Sequence, residues 1–225
     1  MSSPSIPGPL VYCSGPLFSP EEIAAMAHIA AVLERGGYRT FLPHRDGLEA
    51  YVLRHAGHPL AGAWPLSRLR GAFGSAIFAL DVYQCLERCD ALVFNMNGRV
   101  PDEGAVAETA LAWASGKPLV IYKRDDRSPF HGEDNSMVTG LACGGATIDR
   151  VDDLPRAVER VIAKVRERGG TGGAPAPRPP FVAEAVRRGA RIWRWMERLP
   201  AASSGGASVD AIRAELERLE GAGEA

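Results

Sequence analysis

Apolar residues along the chain follow two periods. Short, largely apolar runs at Leu10 to Cys13, Tyr38 to Phe41, Ala91 to Met96, Leu119 to Tyr122 and Ala146 to Ile148 could be buried strands. Between them apolar positions recur every three or four residues, which predicts helices. The first helix is the best marked: Ser19 can cap it, Pro20 suits its first turn, and Glu22 completes a capping box ahead of Ile23, Met26, Ile29 and Leu33. Gly36 and Gly37 then stop it. Further helices are expected near 46–56, 81–89, 104–115 and 154–167, the last with Val158, Val161, Ile162 and Val165 on one face. Strand and helix alternate, so the expected fold class is α/β, a five-stranded parallel sheet flanked by helices in a flavodoxin- or Rossmann-like arrangement.

The pattern changes near residue 169. Residues 169–180 read Gly-Gly-Thr-Gly-Gly-Ala-Pro-Ala-Pro-Arg-Pro-Pro, a Gly/Pro-rich stretch without apolar periodicity, and are expected to be a linker. Beyond it Phe181, Val182, Ala185, Val186, Ile192, Trp193 and Met196 recur at helical spacing, as do Val209, Ile212, Leu216 and Leu219. The first of these helices is rich in Arg (Arg187, Arg188, Arg191, Arg194, Arg198) and the second in acids (Asp210, Glu215, Glu217, Glu220), so the two are expected to pair as a hairpin. Gly189, on the apolar face, leaves room for another backbone to approach. Trp193 and Trp195 stand two apart, so only one is expected to face the core. The expected division is a catalytic domain over 1–168, the linker, and a helical extension over 181–225 that packs on the main domain or on another subunit.

Composition narrows the options. The 225 residues are 46% hydrophobic and 24% charged, enough for one sizeable core. Lys plus Arg number 26 against 27 Asp plus Glu, a net charge of -1, so no global positive field recruits nucleic acid or an acidic membrane. No apolar run approaches the roughly 20 residues that span a bilayer. The first residues carry neither a basic segment nor a long apolar one, and Cys13, Cys85, Cys89 and Cys143 have no zinc-site spacing. A cytoplasmic protein with free thiols and no metal is expected. Cys85 and Cys89 read as small buried residues.

In a parallel α/β sheet, ligands bind beyond the carboxyl ends of the strands. After the first run comes Tyr12-Cys13-Ser14-Gly15-Pro16-Leu17-Phe18-Ser19, which has no Walker Gly-Lys-Ser/Thr. After the second comes Leu42-Pro43-His44-Arg45-Asp46-Gly47. After the third, Asn95-Met96-Asn97-Gly98-Arg99-Val100-Pro101-Asp102-Glu103-Gly104 leads into a helix whose second turn holds Glu108 among Ala105, Val106, Ala107, Thr109, Ala110, Leu111 and Ala112. A lone carboxylate among small apolar residues is costly to bury, which marks it as a functional candidate. Plainer readings stand beside the functional ones: Asp81 as a helix N-cap, Asp102 as a turn residue, Tyr12 as core with a satisfied hydroxyl, Asn135 and Met137 as loop residues.

Together these segments are specific. Gly15-Pro16-Leu17-Phe18 after a first strand, Leu42-Pro43-x-Arg45-x-Gly47 after a second, Asp81 opening a helix that ends at Cys89-Asp90-Ala91-Leu92-Val93, and Pro101-Asp102-x-Gly104-x-x-x-Glu108 resemble the nucleoside 2-deoxyribosyltransferase family in order and spacing. Asn135-Ser136-Met137 is similar to the family's Asn-x-Met element, and the likeness runs from about residue 9 to about 167. It implies that Glu108 is the nucleophile at the anomeric carbon, with Asp81 on the base side, Asp102 orienting the sugar and Tyr12 holding the nucleophile. It further implies that Gly15, Pro16, Phe18, Arg45 and Gly104 line the substrate site. Asn135 and Met137 would reach the sugar's 5′ end from a neighbouring subunit of a homo-oligomer. The partners are then a nucleoside and a free nucleobase, with no cofactor. The chain departs from the pattern at Asn97-Gly98, where members usually carry Asp-Gly, and at Ala110, where they often carry Gly. The segment 51–74, with His55, His58, Pro59, Trp64 and Pro65, is longer than the simplest pattern and is expected to shape the base pocket or a lid. Two other readings remain: an N-glycoside hydrolase of nucleosides or their 5′-monophosphates, and a non-catalytic nucleotide sensor. The loop after the first strand offers little to hold a phosphate, which favours nucleosides.

Overall fold

The structure, a computed structural model, describes residues 8–55, 71–128, 133–142, 147–169, 177–198 and 209–221. In chain order the elements are β1 (Leu10–Ser14), α1 (Pro20–Arg35), β2 (Arg39–Phe41), α2 (Pro43–Asp46), α3 (Leu48–His55), α4 (Ala72–Tyr83), a π-helical turn (Gln84–Arg88), β3 (Ala91–Asn95), α5 (Glu103–Ala114), β4 (Leu119–Tyr122), α6 (Ser136–Thr139), β5 (Thr147–Ile148), a 3-10 turn (Val151–Asp153), α7 (Leu154–Glu167), α8 (Pro180–Arg198) and α9 (Val209–Gly221). Contacts group the chain into two units, Met1–Leu42 with Cys85–Ala176 and Pro43–Gln84 with Pro177–Ala225. Sequence order suggested a boundary at the linker. By contact, the excursion between β2 and β3 instead joins the C-terminal helices.

The first unit is the expected parallel sheet, in the order β2-β1-β3-β4-β5, with Tyr12 beside Phe41 and Leu92, and Leu92 beside Leu119. Residues alternate across it. Val11, Cys13, Val93, Val120 and Tyr122 turn toward α1 and α7 and form one core with Met26, Ile29, Leu33, Leu154, Val158 and Ile162. The capping box is present: Ser19 accepts from the Glu22 backbone while the Glu22 carboxylate accepts from the Ser19 backbone. Cys13, Cys85 and Cys89 are buried free thiols, and burial pushes the Cys89 thiol up to about 12. Cys143 lies outside the described residues.

The second unit is helical. Its core gathers Leu48, Tyr51 and Val52 of α3, Phe73, Ala76, Ala79 and Leu80 of α4, Ile192 and Met196 of α8, and Ile212, Leu216 and Leu219 of α9. Gly189 does admit a close backbone: a Cβ there would lie 2.1 Å from the Ala79 carbonyl oxygen. The opposite charges of α8 and α9 do pair, through Arg188 with Glu220, and Arg191 donates to the Leu219 carbonyl at 3.2 Å. Both Trp193 and Trp195 are half-buried against this core, contrary to the expectation that only one would face it, and the Trp195 ring lies 4.9 Å from that of Tyr51.

Two boundaries differ from expectation. The helix expected over 46–56 is divided at Gly47, whose N–H closes the short α2 on the Pro43 carbonyl at 2.8 Å. Asp81 does not open a helix over 81–89. It sits near the end of α4, which begins at Ala72 without a side-chain cap and is followed by the π-helical turn. The missing cap explains the error, because nothing in the sequence announces where α4 starts. Residues 56–70 of the expected pocket segment and 170–176 of the expected linker lie outside the described residues.

Candidate active site

Alternation along β1 decides which of its side chains meet α5. Val11 and Cys13 face α1 and α7, so Tyr12 and Ser14, both fully buried, face the opposite way. The Tyr12 ring stacks on Phe41 at 5.5 Å. Its hydroxyl donates to Glu108 Oε1 at 2.7 Å, and the Ser14 hydroxyl donates to Glu108 Oε2 at 2.5 Å. One strand thus holds both oxygens of the carboxylate. Hydrogen bonds to a charged acceptor contribute about 1.5–3 kcal/mol each, which offsets the cost of keeping a half-buried anion among apolar neighbours.

Helix α5 brings Glu108 to this position because Ala105, Thr109 and Ala112 form its buried stripe and Glu108 lies beside them, one turn after Ala105. The helix starts at Asp102, whose Oδ1 accepts from the Ala105 N–H at 2.7 Å. Asp102, whose plainer reading was a turn residue, is therefore the N-cap of the helix that carries Glu108. A Cβ at Gly104 would lie 3.3 Å from that same Oδ1. Thr109 Oγ1 donates to the Ala105 carbonyl at 2.7 Å and ties the first turns together.

The loops around this centre are fixed by close packing and by hydrogen bonds of amide groups. Gly15 follows Ser14, and a Cβ there would lie 2.6 Å from Met26 Sδ and 2.8 Å from Asn95 Cβ, so packing alone demands glycine. Pro16 is half-buried, and Phe18 is 86% exposed. After β3, Asn97 Oδ1 accepts from the backbone N–H groups of Arg124 and Asp125, both at 2.8 Å, while its Nδ2 donates to Asn95 Oδ1 at 2.7 Å. Asp125 accepts from the Gly98 N–H at 3.1 Å. Hydrogen bonds from the Arg127 guanidinium hold the Asp125 carboxyl well below the usual carboxylate range, so it stays an acceptor. Asn97 thus latches the loop leading to Asp102 onto the loop after β4.

The remaining expected residues are placed as follows. Asn135 caps the short α6, its Oδ1 accepting from the Met137 N–H at 3.0 Å, and Met137 is 78% exposed. The preceding Asp134 is paired with the buried ammonium of Lys123. Asp81 and Arg45 lie in the second unit, where the Arg45 guanidinium forks onto Asp46 at 2.8 to 3.0 Å. Sequence reasoning missed Ser14 because it ended the first strand at Cys13. Carrying the alternation one residue further puts Ser14 on the face of Tyr12. Among the described residues no group of three His, Cys, Asp or Glu stands together to hold a metal ion, and no helix is long and apolar enough to cross a membrane.

A sequence profile of nucleoside 2-deoxyribosyltransferases matches residues 11–142, more than half of the chain. The chain belongs to that family. Among solved structures, it is similar to a conserved protein from Enterococcus faecalis V583, with 20% identity over 68% of this chain and 98% of that one and a TM-score of 0.49. It is also similar to a 2-deoxyribosyltransferase from Bacillus psychrosaccharolyticus (18% identity, 65% and 90% covered, TM-score 0.47) and to one from Leishmania mexicana (19%, 69% and 97%, 0.39). No curated relative matches the chain.

The latch separates this deoxyribosyltransferase-family chain from the Asp-Gly pattern. An aspartate at 97 keeps the two backbone bonds but loses the donor to Asn95 Oδ1 and sets a carboxylate against it. We expect Asn97→Asp to lower unfolding free energy by about 1–3 kcal/mol, read by urea titration, with Asn97→Ala losing at least as much. Unchanged stability in both variants would contradict the latch.

Proposed function

We propose that the protein exchanges the base of a 2′-deoxynucleoside, with Glu108 as covalent carrier of the sugar. The observation that carries this reading is the Glu108 carboxylate held at both oxygens by Tyr12 and Ser14, in a chain of this family. A fixed carboxylate is a competent nucleophile at an oxocarbenium-like anomeric carbon, and two successive displacements retain configuration. In the first, Glu108 displaces the base from C1′. In the second, an incoming base displaces Glu108. No metal or organic cofactor enters either step.

The other roles rest on the resemblance. Asp81 serves the departing base as the base-side carboxylate. Asp102, whose Oδ1 caps α5, has Oδ2 to direct at the sugar. Gly15, Pro16, Phe18, Arg45 and Gly104 line the substrate. The exposed Met137 with Asn135, and the exposed Ala107, Ala110 and Trp113 on the outer side of α5, support a homo-oligomer in which a neighbouring subunit completes the site. The buried free thiols support a cytoplasmic setting.

Incubation with deoxyinosine and free adenine, followed by chromatography, is expected to yield deoxyadenosine, and Glu108→Ala to lower the rate by about a thousandfold or more. Hypoxanthine and free sugar formed without need of an acceptor would establish hydrolysis instead. Absence of any product would favour a sensor role, and full activity in Glu108→Ala would remove the nucleophile. For the shared site, Glu108→Ala mixed with Asn135→Ala is expected to regain activity that neither has alone. No recovery after subunit exchange would argue for a site complete within one chain.

A further inference from the structure

Two hydroxyls hold the Glu108 carboxylate, yet a carboxylate that attacks carbon loses most of its charge on the attacking oxygen. The donor on that oxygen must then find another acceptor or sit against a poor one. Ser14 has such an alternative. Its Oγ lies 2.5 Å from Glu108 Oε2 and 3.5 Å from the Ala105 carbonyl oxygen, on the same helix one turn earlier, which also accepts from Thr109 Oγ1 at 2.7 Å and would then be shared between the two hydroxyls. A serine hydroxyl has one hydrogen and turns freely about Cβ–Oγ, so it gives that hydrogen to whichever acceptor is stronger. Against an anion at 2.5 Å, the neutral carbonyl at the outer limit of a hydrogen bond loses. Once Oε2 is an ester oxygen, the order reverses. A phenol is more restricted: conjugation keeps the Tyr12 O–H near the plane of a ring already stacked on Phe41. Tyr12 therefore suits the oxygen that remains an acceptor throughout.

We infer that Oε2 is the attacking oxygen and that Ser14 is a further catalytic residue, a switching donor that releases Oε2 when the sugar ester forms and returns to it when the ester breaks. The inference rests on Glu108 as nucleophile. In the first step an Oε2 lone pair forms the bond to C1′ as the C1′–N bond breaks. The electron pair of that bond leaves on the base, which takes a proton by way of the proposed base-side carboxyl group of Asp81, itself resupplied from water. The Ser14 hydrogen turns to the Ala105 carbonyl, and Tyr12 keeps its bond to Oε1, now the ester carbonyl. In the second step the acceptor base attacks C1′ and gives up its proton to water. The C1′–Oε2 pair returns to Oε2, and Ser14 turns back to meet the reforming charge.

The consequence is an asymmetry between the half-reactions. Ser14 stabilises the free carboxylate and not the ester, so removing it destabilises the state before attack more than the state after. In Ser14→Ala the balance between free and glycosylated enzyme is expected to move toward the ester by about ten- to a hundredfold, because a hydrogen bond to a charged group is lost from one side only. Release of free base then becomes biphasic, with a burst stoichiometric with enzyme and a slow second phase. Tyr12→Phe, which loses a bond present in both states, is expected to shift the balance less. Ser14→Thr, which keeps the hydroxyl, should restore the wild-type balance.

The test is rapid-quench measurement of base release from deoxyinosine by the wild-type protein and these variants, together with the ¹³C resonance of the Glu108 carboxyl, identified by its loss in Glu108→Gln. The expected result is a burst in Ser14→Ala, its absence in Ser14→Thr, and a carboxyl resonance displaced in Ser14→Ala before any substrate is added. A wild-type balance in Ser14→Ala with normal turnover overturns the switch. A burst in Tyr12→Phe with none in Ser14→Ala reverses the two oxygens and also overturns it. If the resonance moves but the wild-type protein turns over no nucleoside or nucleotide, the hydrogen bond stands and the reading of the function has failed, taking the step assigned to Ser14 with it.

Discussion

One carboxylate, held at both oxygens by two hydroxyls from a single buried strand, sets the requirements for the rest of the first unit. An anion half out of water is disfavoured unless it is hydrogen-bonded, and the two donors that offset the cost lie at alternate positions of β1. For both to reach Glu108, β1 must sit inside the sheet with a helix across one face. It does so between β2 and β3, with the apolar side of the same strand packed on α1 and α7. The helix opposite must come close, and its buried stripe of Ala105, Thr109 and Ala112 is narrow enough to allow that. Strand order, helix composition and site chemistry are thus one constraint seen at three scales.

The loops beyond the strands carry the same logic outward. Asn95, Asn97 and Asp125 join the loop after β3 to the loop after β4, so the entry to α5 is fixed before the helix begins. Asp102 then caps the helix through one oxygen. Capping through Oδ1 leaves Oδ2 for a further contact, so the observed capping and the proposed sugar-orienting role of Asp102 are compatible. Gly15 is similar: the approach of Met26 and Asn95 excludes a side chain, and the same close packing brings the backbone up to the carboxyl end of β1, where the resemblance places substrate.

Most of this arrangement was legible in the sequence because its signals are local. The capping box at Ser19 and Glu22 and the five apolar runs each state their role within a few residues, and the lone Glu108 in a small-residue helix marks itself as a candidate in the same way. The failures arise where the deciding interaction is distant or unmarked. Ser14 looked like loop because a strand's last residue has no signature of its own, and only the position of α5 gives it a partner. Helix α4 lacks a side-chain cap, so its start was invisible and Asp81 was placed at the wrong end of a helix. The grouping of residues 43–84 with the C-terminal helices depends on Gly189 meeting Ala79, a contact across more than a hundred residues that no periodicity encodes.

The central claim is that Glu108 itself carries the sugar. Its most direct test is to mix the protein with a 2′-deoxynucleoside and no added acceptor base, quench the first half-reaction, digest at low pH and map the modified peptide by tandem mass spectrometry. The account predicts a deoxyribosyl ester on the peptide containing Glu108, at that residue. A sugar found on another side chain, or an unmodified Glu108 throughout a reaction that retains configuration, would contradict it.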